Sequence, residues 1–349
     1  MRKSLGWGIV ALGMALVPGG AARADELSID GEVTTPLTLD DTALGGTTVM
    51  ATIGTDVYSG SSVYSLISDA GFENNPAQAK NGNLLDYLVV SGTSGQSVVL
   101  SEGQIDPGFG GQPSNPQAFI ATTKNGVPIA PVLIVPTDPN GLTDGYDVTG
   151  VNNISVNWAA VPSASTTALD NENTFTVTGN RIAGAPVTYN TTSFPATFPT
   201  SGQTTQNDTY QGPGGTTNVQ FTGVPIFTLL QNAGLITDPT DPQSILDDYI
   251  VVTGSNEPTS SAPFDYAVLY SMGEIDPDYN GGFPMGTDDP LIAQLANGTF
   301  RSTAPLDLKG GRYDSDVINI DVETIPEPDS LALLLSPLLL LALVRRRRA

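Results

Sequence analysis

The chain carries "SEGQIDPGFGG" at residues 101–111 and "SMGEIDPDYNGG" at residues 271–282. Both share a Ser-x-Gly-x-Ile-Asp-Pro frame that runs into glycines. A frame written twice in one chain reads as a repeated active site, a repeated metal loop, or a turn duplicated with its surroundings. The flanks decide between these. "YSGSSVYSLISDAGF" (Tyr58–Phe72) aligns without a gap on "FTGVPIFTLLQNAGL" (Phe221–Leu235), and "LLDYLVVSG" (Leu84–Gly92) aligns on "LDDYIVVTG" (Leu246–Gly254). Further on, "GYDVTGVNNISV" (Gly145–Val156) matches "RYDSDVINIDV" (Arg312–Val322), and near the start "SIDGEV" (Ser28–Val33) faces "TVTGNR" (Thr176–Arg181). Ordered matches of this kind indicate an internal duplication. They divide the body into module 1 (residues 25–158) and module 2 (174–324), with 159–173 as a linker of Ala, Ser, Thr and Asn. Module 2 is longer between its first glycine and its helix. That surplus, rich in Thr, Gly, Gln and Asn around Thr200–Thr217, is expected to form a long surface loop.

In each module a segment after Gly60 or Gly223 spaces its apolar residues helically: Val63, Leu66, Ile67 and Ala70, then Ile226, Leu229, Leu230 and Ala233. Each segment ends at a glycine, Gly71 or Gly234, the expected C-terminal cap. The other strong signals are short β-branched runs such as "YLVVSG", "PVLIVP", "YIVVTG" and "VINIDV". The expected fold is therefore α+β and β-rich: two tandem modules, each of short mixed strands with one main helix.

The composition excludes much chemistry. The chain has 349 residues and no cysteine or histidine, so Ser-His-Asp and Cys-His catalysis lack their base, and zinc or copper sites lack their usual ligands. The net charge is −23, and the basic residues concentrate at the two ends. Such a body repels nucleic acid and anionic surfaces, while divalent cations and neutral glycans remain compatible with it.

Both ends read as addresses. Residues 1–24 open with Arg2 and Lys3, continue through an apolar run, and finish in Ala22-Arg23-Ala24, the pattern of a signal peptide cleaved after Ala24. Residues 325–349 contain Pro326, Glu327 and Pro328, then the apolar run Ser330–Val344, then Arg345, Arg346, Arg347 and Arg348. The apolar run is expected to act as a short transmembrane helix, below the roughly 20 residues that span a bilayer with ease, and the arginines hold its end in the cytoplasm. A plain C-terminal anchor fits the same residues. The ordered set resembles the PEP-CTERM sorting signal of Gram-negative bacteria. That resemblance implies an exosortase as processing partner, transient inner-membrane anchoring, delivery to the cell surface or extracellular matrix, and association there with exopolysaccharide or other envelope components.

The body has its own resemblance. "GEVTTPLTLDD" (Gly31–Asp41), "TGVPIFTLLQNAGL" (Thr222–Leu235), the "VVSG" and "VVTG" strands and "VLIVPTD" (Val132–Asp138) together resemble the molybdopterin-binding domain of the sulfite oxidase family. The family implies a cysteine thiolate on molybdenum, with histidine and arginine holding the pterin. This chain has neither cysteine nor histidine, and few arginines in the body. The expectation is a degenerate, non-catalytic scaffold with no cofactor, serving a binding or structural role. The alternative is an exported molybdopterin-dependent oxidoreductase without the cysteine ligand.

One candidate metal site lies in the opening stretch. Asp276, Asp278 and Asn280 stand at positions 1, 3 and 5 of a calcium-loop template with Gly281 at 6, although Thr287 replaces the bidentate Glu at 12. The other reading of "DPDYNGG" is a turn closing the strand that ends at Ser271. "TDPNGLTDGYD" (Thr137–Asp147) offers Asp138, Asn140 and Asp144 to the same two readings. Phe109 and Tyr279, at equivalent places after each Asp-Pro, are either exposed rings that stack on sugars or core rings packed in their own module.

Overall fold

The computed structural model describes residues 26–40, 44, 48–78, 80–110, 117–136, 146–160, 173–212, 214–238, 240–255, 266–279, 289–305 and 307–325. Ala22 and Ala24 of the expected signal peptide, Asn280 of the candidate calcium loop, the acids Asp138 and Asp144 with Asn140, and the whole tail from Pro326 to Arg348 lie outside the described residues.

Four small sheets in a four-bladed arrangement make up the described chain. One five-stranded sheet has the order Leu37–Leu39, Leu27–Gly31, Val151–Trp158, Asp86–Gly92 and Ser97–Ser101. Another repeats that order with Val187–Asn190, Thr174–Gly179, Val317–Thr324, Asp248–Gly254 and Tyr266–Ser271. In both, the second and third strands run parallel, and the remaining neighbours are antiparallel. Two four-stranded sheets complete the set: Thr48–Ile53, Asp56–Ser62, Phe119–Lys124, Val127–Ile134, and Thr204–Gly212, Gly215–Pro225, Leu291–Gln294, Phe300–Ser302.

This corrects the expected α+β pair of tandem modules with one main helix each. The helical spacing at Val63 and Ile226 does produce helices, Val63–Asp69 and Ile226–Ala233, but they are only 7 and 8 residues long. Ser62 starts the first by accepting from the Ser65 amide, and left-handed Gly234 (φ 95°) ends the second. Two turns cannot form a layer over a sheet, so sheet-to-sheet packing takes that role. Nor does each half enclose a core of its own. A single apolar cluster includes Leu66, Leu88 and Ile154 of the N-terminal half together with Leu229, Ile250 and Ile320 of the C-terminal half. A second cluster joins Leu85, Tyr87 and Val99 to Val251, Ala267 and Leu269, so the two five-stranded sheets pack on one another directly.

Two further expectations need correction. The Thr-, Gln- and Asn-rich segment read as a loop is a long hairpin, Thr204–Gly212 against Gly215–Pro225, in continuous register from Thr204↔Gly223 to Gly212↔Gly215. β-Branched threonines suit a strand, and their polarity had masked the signal. As for the transmembrane helix, no helix among the described residues is long and apolar enough to cross a membrane, and Ser330–Val344 lies outside them.

Candidate functional site: a buried polar lock between the halves

The repeated frame forms the same small structure twice. Ser101 and Ser271 end equivalent strands and cap the four-residue helices Glu102–Ile105 and Met272–Ile275, each serine oxygen accepting from the backbone amide three residues on. Asp106 and Asp276 then close the turn: Asp106 Oδ1 accepts from the Gly108 amide at 2.6 Å and Asp276 Oδ1 from the Asp278 amide at 2.9 Å.

The two turns meet at the centre of the molecule. The Ser101 hydroxyl donates to Glu274 Oε2 at 2.7 Å, and the Ser271 hydroxyl donates to Gln104 Oε1 at 3.2 Å. Each capping serine thus bonds the third helical residue of the other copy. Gln104 Nε2 in turn donates to the Tyr146 hydroxyl at 2.9 Å. Tyr87 and Tyr249, which occupy matching places in the two repeats, stack across the same boundary with centroids 4.6 Å apart.

Arg312 fills the middle of this arrangement. Its Nε and one terminal nitrogen form a fork on Asp307 at 2.9 and 2.6 Å, and its other terminal nitrogen pairs with Glu274 Oε1. All three side chains are fully buried, and the guanidinium lies over the Tyr270 ring at 5.2 Å. The glycine of each frame is required by this packing. A Cβ on Gly103 would stand 2.7 Å from Arg312 Cδ, and one on Gly273 would stand 2.5 Å from Tyr146 Cε2.

Burial sets the charge states. Burial works against the Arg312 cation, but Asp307 and Glu274 outweigh it and hold the guanidinium protonated. Burial pushes Asp307 up to about 7 against the pull of Arg312. Glu102, fully enclosed, is raised well above the carboxylate range by burial and then by neighbouring Asp106, with Asn83 Nδ2 bonding both at 3.0 and 3.3 Å. Burial thus favours the protonated form of Glu102.

A second pair of equivalent acids differs between the halves. Asp248 accepts from Arg181 Nε at 2.6 Å and from Thr324 at 2.6 Å, and burial leaves it at about 6 despite both partners. Its counterpart Asp86 is fully buried, and among the described residues neither oxygen has a side-chain donor; burial pushes it up to about 8 over the opposing Asn75 amide, with a further push from Glu32. Backbone pairing explains the contrast. The Glu73 amide bonds the Glu32 carbonyl just as the Ile236 amide bonds the Arg181 carbonyl, so Glu32 is the structural counterpart of Arg181. The ungapped sequence match had placed Val33 there.

No protein-family model matches this chain, and no curated protein matches it. Among solved structures, the chain is similar to the sulfane dehydrogenase SoxCD from Paracoccus pantotrophus, at 13% identity and a TM-score of 0.29, with 72% of this chain and 64% of that chain covered. A likeness that distant says nothing about activity.

The expected site residues fall in different places. Asp276 is buried and turned into its own turn, with burial raising it to about 6, while Asp278 is exposed. Among the described residues no group of three or more acidic side chains is placed to hold a metal ion. Phe109 and Tyr279 are both core rings: Phe109 lies under Lys309 at 5.6 Å, and the Tyr279 hydroxyl donates to the Pro242 carbonyl at 3.1 Å. Molybdopterin does not fit the donors at the centre, where a buried Arg-Glu-Asp group and two capping serines stand and the chain supplies no thiolate. Sequence reasoning missed Arg312, Asp307 and Glu102. The usable signal was one rare arginine in an acidic body, with a Glu at 274 where the other copy has Gln104.

Proposed function

We propose that the protein is an exported cell-surface or matrix component in which the repeated frame holds two halves together and performs no catalysis. The observation that carries this reading is the reciprocal engagement of Ser101 with Glu274 and of Ser271 with Gln104. The polar side chains that a repeated active site would offer to a substrate bond each other in the interior. Export and exosortase sorting rest on the sequence of the two ends, with Pro326, Glu327 and Pro328 as the processing motif and Arg345–Arg348 as the terminal cluster. Neutral envelope polymers suit a chain of net charge −23 whose basic residues concentrate at the two ends, and nucleic acid does not.

Two measurements test this. Metal analysis of protein purified from a molybdenum-replete host is expected to find no stoichiometric molybdenum; a full equivalent would overturn the non-catalytic reading. Replacing Pro326 and Pro328 with Ala is expected to leave the chain unprocessed, and normal release of that variant would overturn the sorting reading.

A further inference from the structure

The hairpin Thr204–Gly212/Gly215–Pro225 has two unlike faces. Its inner face is fixed to the body: Tyr210 stacks on Tyr313 with centroids 4.1 Å apart, Gln206 Nε2 donates to Thr303 Oγ1 at 2.9 Å, and Phe221 is buried. Its outer face is four rungs of neutral side chains in cross-strand register: Thr205 with Thr222, Asn207 with Gln220, Thr209 with Asn218, and Gln211 with Thr216. Every rung is closed by a side-chain hydrogen bond, at 2.8, 3.1, 2.7 and 2.9 Å in that order. Seven of the eight residues are exposed, and Thr222 is half-buried.

The rung bonds fix the side chains without exhausting them. Asn207 and Asn218 use only their carbonyls and keep both amide hydrogens, while Gln211 keeps its carbonyl and Gln220 keeps its own. The result is a pre-ordered array of alternating donors and acceptors on a stiff support, which lowers the entropic cost of binding. Rungs recur about every 7 Å along a strand, so four of them cover about 20 Å. The fold does not need this feature. The matching hairpin of the N-terminal half, Thr48–Ile53 with Asp56–Ser62, is shorter and presents Met50 and Val57 instead.

The chemistry narrows the partner. An apolar partner finds no apolar side chain on the outer face, and an ionic partner finds no charge there. A matching ligand is long, uncharged and dense in hydroxyl groups. We propose that the outer face of this hairpin binds a neutral polysaccharide. This gives the binding role suggested above a location, and it rests on that reading only for where the polymer is met.

Affinity electrophoresis of the full chain tests the proposal in native gels containing dextran, galactomannan or a soluble β-glucan, with alginate as a polyanionic control. The expected result is retardation in at least one neutral gel and none in alginate. The paired variant Thr209→Val/Asn218→Val removes one rung without stranding a partner and is expected to weaken that retardation about tenfold. Should that variant unfold, the single Thr216→Val change near the hairpin end serves in its place. No retardation in any neutral gel, retardation unchanged in the variants, or concentration-dependent self-association that the variants abolish would each overturn the proposal. The gel reads binding wherever the protein resides in the cell, so its failure leaves the export reading standing, and failed sorting leaves this one standing.

Discussion

The Ser101 hydroxyl lies 2.7 Å from Glu274 Oε2, linking residues 173 positions apart, the first position of one copy of the repeated motif to the fourth position of the other. The reciprocal bond, Ser271 to Gln104, is neutral and longer at 3.2 Å. One substitution between the copies, Gln104 against Glu274, therefore gives the lock a charge, and Arg312 answers it from beside the capping turn of the other copy. A duplication that began symmetrical has become a charged interlock with one acid and one neutral arm.

Removing Arg312 is expected to destabilise the whole molecule. Arg312→Met leaves Glu274 and Asp307 buried without their cation, a loss of about 3–5 kcal/mol. Glu274→Gln keeps an acceptor for Ser101 and is expected to cost less. Urea unfolding read by both fluorescence and circular dichroism checks this, and a single transition in both variants is expected because the halves share one core.

The centre also makes Gly103 irreplaceable. A methyl group at that place meets Arg312 Cδ at 2.7 Å, and Arg312 is clamped by two acids and cannot swing aside. Gly103→Ala is expected to destabilise by about 1–3 kcal/mol, as overpacking does in a filled core. The paired variant Gly103→Ala/Arg312→Met is expected to lose less than the two single changes added together, since the shorter, uncharged chain relieves the clash.

Much of the local structure was legible in the sequence, and the long-range structure was not. The apolar spacing of Val63, Leu66, Ile67 and Ala70 marks a helix because every turn presents one face, and Gly234 marks a stop because its φ is positive. Periodicity tells which face is buried and is silent on what covers it. The face of Tyr87 and Val99 is covered by Tyr249, Val251 and Leu269 from the other half, which turned two expected modules into one body. Polar strands such as Thr204–Gly212 carry weak alternation, because their outer face is threonine and amide and their inner face includes Gln206 and Asp208. The role of Arg312 depends on contacts with Glu274 and Asp307 that no local pattern encodes.

Asp276 separates a turn cap from a calcium ligand. Its Oδ1 accepts from the Asp278 amide, a role that a neutral amide side chain fills equally well. Asp276→Asn is therefore expected to keep the stability of the parent near pH 4, where the carboxyl that burial raises to about 6 holds its proton, and to exceed it near pH 7, while Asp276→Ala is expected to lose about 1 kcal/mol near pH 4. A calcium titration followed by melting temperature completes the test. A rise in the parent that vanishes in Asp276→Asn would assign the ion to this carboxylate, because calcium favours charged oxygen ligands.

The contrast between Asp86 and Asp248 predicts how stability follows pH. Both carboxyls are raised above their ordinary 3.8 by burial, Asp86 to about 8 and Asp248, with Arg181 beside it, to about 6. A raised carboxyl in the folded state keeps a proton that the unfolded chain has already released, so stability is greatest at acid pH and falls as pH rises through that window. For Asp86 the loss runs from about pH 4 to about pH 8 and levels off above it. Asp86→Asn removes the titration and is expected to match the parent near pH 4 and to exceed it by roughly a few kcal/mol at pH 8. Glu32→Arg copies the arrangement at Arg181 into the N-terminal half, and it is expected to pull the Asp86 carboxyl down towards that of Asp248. The Glu32→Arg curve should then follow the fall of the parent up to about pH 6 and flatten above it, while the Asp86→Asn curve departs from the parent from about pH 4 upward. Urea unfolding between pH 4 and 9 measures all three curves. Parallel curves for parent and Asp86→Asn would show that Asp86 is ionised in the folded protein and overturn the assignment.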